Sequence, residues 1–388
     1  MNEIARRSHT EECDFSITGQ HTSGKPIRAS IIIPSYNAVR TLPRAIRSAC
    51  TQTISDIEII VVDDASDDGS WGVIAEWIGQ DPRICGMHHK RNTGKSIAMN
   101  HATAIARGQW LAVLDADDWY HPERLSALIS IGEQRNVDMV ADNQFLYDMV
   151  ARVIVGSAWN IGRTEWPLTL DNFLTGSDPY DAFNFGMLKP IVKMDFVRAS
   201  GLDYDERARH GQDFLYLLQF FMQRGKGIVC DMPYYFYNQP FGAVSRVWSH
   251  AARQRYDFQT SFEINRSYVA RAEKLMTSRQ LRLFKRRVEK LLTLERYYSA
   301  KDFFHNVRLG EAMAQCFSRP QMLGYAMRRL FARCFGVRDG RAAARIAARS
   351  ALYRKRGPCA REDTRVEPGR GELSHAAAND KPAGGGLA

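Results

Sequence analysis

Residues 111 to 121 read LAVLDADDWYH, a short apolar run leading straight into Asp115, Asp117 and Asp118. Carboxylates that close repel one another, and burial makes each costlier to ionise. A strand ending this way calls for a cation. At a strand end, Asp115 and Asp117 flank Ala116 and point the same way. Mg²⁺ and Mn²⁺ take oxygen donors, accept one or two protein carboxylates, and fill their shells with phosphates and water. This Asp-x-Asp therefore suits a divalent ion that already carries a diphosphate. Taken alone, the run reads equally well as a helix start with Asp118 as its cap.

Two neighbouring stretches add to it. In DIEIIVVDDASDDGS, Asp63 and Asp64 follow an apolar run closely enough to sit at a strand end. An acid there can accept hydrogen bonds from a ribose hydroxyl or a base N–H. Asp67 and Asp68, beside Gly69, read as a solvated turn. RNTGKSIAMN puts Gly94 ahead of a helix, so backbone N–H groups could face an anion with help from Arg91 or Lys95. It is not a Walker A sequence.

These residues need a frame. RASIIIPSYN is a β-branched run of the kind found in a buried parallel strand, and it delivers Ser35, Tyr36 and Asn37 at its end. TLPRAIRSACTQT reads as a helix with Thr41 as N-cap and Pro43 in the first turn. Strands at DIEIIVVDD, RICGMHHK and WLAVLDADD alternate with helices at 71–78, at KSIAMNHATAIARG (closed by Gly108 as C-cap) and at PERLSALISIGEQRN. The alternation predicts an α/β fold, a mostly parallel sheet with helices on both faces. In such sheets ligands bind at the carboxyl ends of the strands, where the acids fall. Residues 138–240 are less regular, apart from the apolar helix DFLYLLQFFMQRG.

In this order and spacing, IIIPSYN, DIEIIVVDDASDDGS, RNTGKSIAMN and LDADD resemble the nucleotide-sugar half of a family 2 glycosyltransferase with the GT-A, Rossmann-like fold. GQDFLYLLQFFMQRG and DMPYYFYNQPFGAVSR narrow the likeness to bacterial exopolysaccharide glucosyltransferases of the succinoglycan type. The resemblance spans residues 29–246. It implies an inverting hexosyl transfer from a UDP-sugar, with the UDP departing on a divalent metal. Pro34, Tyr36 and Asn37 would then line the uridine pocket, and Asp64, beside Asp63, would contact uracil or ribose. Gly94, Lys95 and Ala116 would belong to the nucleotide-sugar site. Asp115 would lie near ribose and diphosphate, and Asp117 would bind the metal directly. The family's Glu-Asp pair ahead of an apolar helix is Gln212-Asp213 here. The resemblance therefore makes Asp213 the base, and Gln212 removes a negative charge beside it. Asp213 also reads as a helix cap, and one residue can do both. Lys189, in FGMLKPIV, matches a family segment near the acceptor, whereas by itself it reads as an exposed lysine. No QxxRW follows Asp213, the nearest stretch being SRVW at 245–248, so transfer is expected to be non-processive.

Charge divides the chain. Residues 251–358 hold 25 Lys and Arg against 8 Asp and Glu, whereas residues 1–250 hold 24 against 30. Stretches such as LRLFKRRVEKLL and PQMLGYAMRRLFARCF combine apolar and basic residues. They suit an anionic membrane surface or a helical subdomain packed on the sheet better than nucleic acid. The family's acceptors, polyprenyl diphosphate-linked oligosaccharides, favour the membrane. The expected organisation is a loose arm over 1–28, a catalytic domain over 29–246, a basic helical region over 247–357 and a disordered tail over 358–388. The 7 cysteines are scattered, without a CxxC pair, which suits a reducing compartment rather than a disulfide framework. No leader-like apolar stretch opens the sequence and no run of 18 apolar residues occurs, so the expected place is peripheral, on the cytoplasmic face of the inner membrane. A nucleotidyltransferase and a non-catalytic sugar-nucleotide or glycan-binding relative are the alternatives.

Overall fold

The run ASIIIPS forms β2 (Ala29–Ser35), buried along almost its whole length. Its side chains alternate between the two faces of the sheet, as the strand period requires. Ile31 and Ile33 enter one hydrophobic cluster and Ile32 the other. A strand apolar on both sides must be covered on both sides, and here helices cover it. The computed structural model describes residues 15–19, 26–149, 151–159, 164–181, 184–239 and 257–305, with isolated positions 321 and 324.

In chain order the elements are β1 (Phe15–Thr18), β2, α1 (Leu42–Cys50), β3 (Ile57–Asp63), α2 (Ser70–Gln80), β4 (Ile84–His89), α3 (Lys95–Ile105), β5 (Trp110–Val113) and β6 (Trp119–Tyr120). Then come α4 (Arg124–Arg135), β7 (Met139–Asp148), β8 (Val153–Ser157), β9 (Glu165–Leu168), α5 (Leu170–Gly176), a 3₁₀ turn (Phe185–Met187), β10 (Ile191–Lys193), α6 (Met194–Ser200), α7 (Gln212–Met222) and β11 (Gly227–Gln239). Three helices close the described chain: α8 (Phe258–Ser267), α9 (Val269–Leu275) and α10 (Ser278–His305).

The sheet order is β1-β4-β3-β2-β5-β10-β7-β11-β6, with β8 on β7 and β9 on β11. The β4-β3-β2-β5 core is parallel, as the alternation predicts. Beyond β5 the sheet is mixed, because β10 inserts antiparallel between β5 and β7. β7 and β11 then run parallel to each other. The β2–β3 register pairs Ser35 with Asp63, so these two strands end level at one edge.

The structure departs from three expectations. Phe15–Thr18 is not part of a loose arm. It pairs antiparallel with β4, and Phe15 packs on the rings of His89 and His101. Gly108 does not cap α3, which ends at Ile105 with Ala106 as its C-cap. The glycine instead lets the chain pass against β2: a Cβ there would lie 2.4 Å from the Ser30 nitrogen, and its N–H donates to Ser30 Oγ. The stretch LRLFKRRVEKLL lies in α10, and its apolar side is already occupied by protein. Phe284 and Val288 join the same core as α7, while the Arg287 guanidinium stacks 3.5 Å from the Phe214 ring. Lys290 pairs with Asp178 and Arg287 donates to the Ser177 carbonyl. The inner face of this stretch packs as the helical-subdomain alternative expects, while Arg282 and Arg286 stay exposed. PQMLGYAMRRLFARCF, SRVW and the tail lie outside the described residues.

Candidate active site

β5 stops at Val113, and the acids that follow lie in a tight turn, closed by the Asp118 N–H donating to the Asp115 carbonyl at 3.0 Å. The turn, rather than strand alternation, brings the three carboxylates together. One oxygen of each lies within 4.8 Å of the others. Their environments differ sharply. Asp118 is buried and accepts from Tyr235 Oη at 2.7 Å and from the Asn238 N–H at 2.8 Å. Burial, with the charges of Asp117 and Asp115, pushes its carboxyl well above the ordinary range. It ties β11 to the turn. It caps nothing, since α4 begins only at Arg124. Ala116 points into the core. Asp117 is exposed, and no side-chain hydrogen bond or ion pair reaches it among the described residues. Its surroundings and the Asp115 charge raise its carboxyl.

Two lysines pair with Asp115. Lys95 Nζ lies 2.7 Å from Asp115 Oδ1, and Lys189 Nζ lies 2.7 Å from Asp115 Oδ2. Burial would raise the Asp115 carboxyl, but the two ammonium groups outweigh it and hold it below the carboxylate range. Lys189 is not an exposed lysine. Its side chain is only 6% accessible, and burial would lower its pKa were it not for Asp115 and Asp213, which raise it well above the usual value.

Asp213 reaches the same two lysines from the other side, 2.6 Å from Lys189 Nζ and 3.4 Å from Lys95 Nζ. It stands in the first turn of α7, behind Gly211, whose φ of +68° starts the helix. The apolar residues that follow anchor α7, so Asp213 is held at the open end of a rigid element. Gln212 lies beside it, half-buried.

At the neighbouring strand ends, Tyr36 is 53% exposed and Asn37 sits in the left-handed region with its side chain accepting from the Asp67 N–H. Pro34 is half-buried. Asp63 is buried, with Oδ2 bonded to His88 and Oδ1 unpartnered, as is Ser35 Oγ on the adjacent strand. Asp64 is bonded within the chain. Its oxygens accept from His89, from the N–H and hydroxyl of Thr93, and from the Gly94 N–H at 2.6 Å. These bonds overcome burial and bring its pKa down to about 2. The anion facing Gly94 is therefore Asp64, which fixes the loop that carries Lys95.

A divalent ion fits this donor set through Asp117. Asp115 and Asp118 have their oxygens engaged, whereas Asp117 offers an open carboxylate, and Mg²⁺ or Mn²⁺ needs few from protein when phosphates supply the rest. Asp115 lies in the same carboxylate cluster and also anchors the two lysines.

Sequence reasoning missed the layer below. Arg124 is fully buried, bonds Asp142 through two nitrogens at 3.1 and 2.8 Å, and donates to the Lys189 carbonyl. Its guanidinium lies 4.2 Å from the Tyr120 ring. The signal available for Lys189 was a lysine inside the apolar run FGMLKPIV, which is hard to leave in solvent without exposing its neighbours.

Residues 30–189 match the family model Glycosyl transferase family 2. The chain is 32% identical to the succinoglycan biosynthesis protein ExoO of Rhizobium meliloti (strain 1021) over 220 residues, 56% of this chain and 62% of ExoO. ExoU of the same strain is 32% identical over 197 residues, 50% of this chain and 56% of ExoU. A shorter match, 35% identical and covering 30% of this chain and 46% of the relative, is to the Escherichia coli UDP-Glc:alpha-D-GlcNAc-diphosphoundecaprenol beta-1,3-glucosyltransferase WfaP. The chain therefore spans less than two thirds of the length of these relatives. S. aureus TarS 1-349 in complex with UDP superposes with a TM-score of 0.51 at 14% identity, over 71% of this chain and 72% of that one, a likeness of fold. Together with the sheet and the acid turn, these matches make residues 30–189 similar to family 2 glycosyltransferases, and the chain similar to succinoglycan biosynthesis proteins and to TarS in fold.

Proposed function

We propose that this protein is an inverting, non-processive hexosyltransferase. It would move a sugar, glucose by analogy with its relatives, from a UDP-sugar to a lipid-linked oligosaccharide in exopolysaccharide synthesis. The observation that supports this best is the meeting of Asp213 with the acid turn across a shared pair of lysines. Lys95 and Lys189 bridge Asp115 to Asp213, so a carboxylate that would face the donor and one that would face the acceptor are held close together.

The steps assigned to the chain's residues follow from that placement. Tyr36 and Asn37 would hold the nucleoside near the unpartnered Asp63 and Ser35 oxygens. Asp117 would hold the divalent cation, which supplies charge compensation for the departing diphosphate. Lys95, partly exposed at the start of α3, would add its charge on that side. Asp213 would take the proton from the acceptor hydroxyl as its oxygen bonds to the anomeric carbon. The bond from that carbon to the diphosphate oxygen breaks, and UDP leaves with the electron pair. Attack from the face opposite UDP inverts the centre.

Exposed Arg282 and Arg286, one turn apart on the outer side of α10, would meet anionic headgroups, each worth about 1 kcal/mol near a surface. No helix among the described residues is long and apolar enough to cross a membrane, so attachment at the cytoplasmic face would be peripheral. The test is transfer itself. With UDP-[¹⁴C]glucose, Mn²⁺ and a diphosphate-linked saccharide lipid in anionic vesicles, label is expected in the lipid fraction, and less in neutral vesicles. Absence of label with every common UDP-hexose would overturn the transferase reading. Equal labelling in both vesicle types would overturn the membrane reading.

A further inference from the structure

Lys189 is a long, flexible residue held where it cannot flex. Its carbonyl accepts from Arg124, itself fixed by Asp142 and the Tyr120 ring, and Pro190 stiffens the chain that follows. Its ammonium sits 2.7 Å from Asp115 Oδ2 and 2.6 Å from Asp213 Oδ2. Lys95 spans the same two carboxylates, but more loosely, at 2.7 and 3.4 Å, and with 21% of its side chain exposed. One cation is buried and locked from below, while the other is accessible.

We propose that Lys189 is a positioning residue that couples the Asp213 carboxylate to the acid turn. By gripping Asp213 Oδ2 it leaves Oδ1, which has no side-chain partner among the described residues, as the oxygen presented to the acceptor. By gripping Asp115 it sets that oxygen's distance from the acid turn. Lys95 is the exchangeable counter-ion, free to follow an arriving diphosphate while Lys189 keeps the two carboxylates from repelling each other. This inference rests on Asp213 acting as the base. A misplacement of about 1 Å in such a constellation costs on the order of 10²-fold in rate.

The experiment is a double-mutant cycle in steady-state transfer. It uses the full chain, the wild type, Lys189→Met, Lys189→Arg, Asp213→Asn and the Lys189→Met/Asp213→Asn double variant. UDP affinity and unfolding midpoint are measured for each. Lys189→Met is expected to lower kcat by about 10²-fold, with donor KM within about threefold of wild type. Lys189→Arg, which keeps the charge, is expected to recover at least about tenfold of that loss. The double variant is expected to be no slower than Asp213→Asn alone, because both changes act on one group. A wild-type kcat in Lys189→Met, or losses that multiply in the double variant, would overturn the inference and leave the transferase reading standing. An Asp213→Asn variant as active as wild type would sink the base assignment and this inference together. Should Lys189→Met not fold, Lys189→Gln, neutral but able to hydrogen-bond, takes its place in the cycle with the same outcomes.

Discussion

Asparagine in place of Asp213 is expected to leave UDP-sugar binding within a few-fold of wild type and to lower kcat by about 10²–10⁴-fold, the range for loss of a general base. The amide keeps the shape of the carboxyl and one acceptor oxygen, so the contact with Lys189 Nζ survives in weakened form. It cannot accept the acceptor proton. The loss belongs in kcat rather than in donor KM, because Asp213 is linked to the acid turn only through the lysines. Asp213 also occupies the first turn of α7, where a negative charge stabilises a helix by about 0.3–1 kcal/mol. A small drop in unfolding midpoint should therefore accompany the kinetic loss. Gln212→Glu is the matched control, since it restores a charge without touching the base. It should change kcat by less than about tenfold. Rapid-quench measurement of the chemical step, set beside equilibrium UDP binding, separates the two effects.

The second large effect is on stability. Arg124→Met leaves Asp142 buried without its partner, and breaking a buried pair from one side costs about 3–5 kcal/mol. The Lys189 carbonyl loses its donor in the same stroke. The urea midpoint should fall with little change in the slope. Arg124→Met/Asp142→Leu should recover much of the loss, since removing both charges avoids the stranded carboxylate. A double variant no better than the single would point to Tyr120 stacking, rather than charge, as what Arg124 supplies. Because the pair sits directly beneath Lys189, the single variant should lose transfer activity at temperatures where it is still folded.

These expectations depend on features that the sequence discloses unevenly. The parallel core was legible because ASIIIPS, IEIIVVD and WLAV are continuous apolar runs, each ending in polar residues, with helical spacing between them. The acid turn was legible for the same reason. β10 was not, being a strand of 3 residues that pairs antiparallel between β5 and β7 on tertiary grounds. Nor was β1, whose FSIT has little pattern of its own and is placed by pairing with β4 and by Phe15 against His89.

At the site, residue type told more than role. Asp115, Asp117, Asp213, Lys95 and Lys189 do converge, with the two lysines paired to Asp115 and Asp213. Proximity in three dimensions decides that, and Lys189 lies far along the chain from Asp115. The N–H groups that Thr93 and Gly94 donate to Asp64 are not legible in the sequence, because the loop meets that acid only in the fold. The amphipathic pattern of α10 correctly marked a buried face, yet periodicity cannot say whether membrane or protein covers it. Phe284 against the α7 core answers that.

Asp117 is expected to be the open donor of the acid turn, and Asp213 the base across from it. Calorimetric titration of Mn²⁺ with UDP present, run beside UDP-glucose hydrolysis, tests that division most directly on wild type, Asp117→Ala and Asp213→Asn. Wild type should bind and turn over only with Mn²⁺, Asp117→Ala should lose both responses, and Asp213→Asn should keep the binding isotherm while losing turnover. Three proteins that bind Mn²⁺ alike and hydrolyse the donor at one rate, with or without the ion, would contradict it.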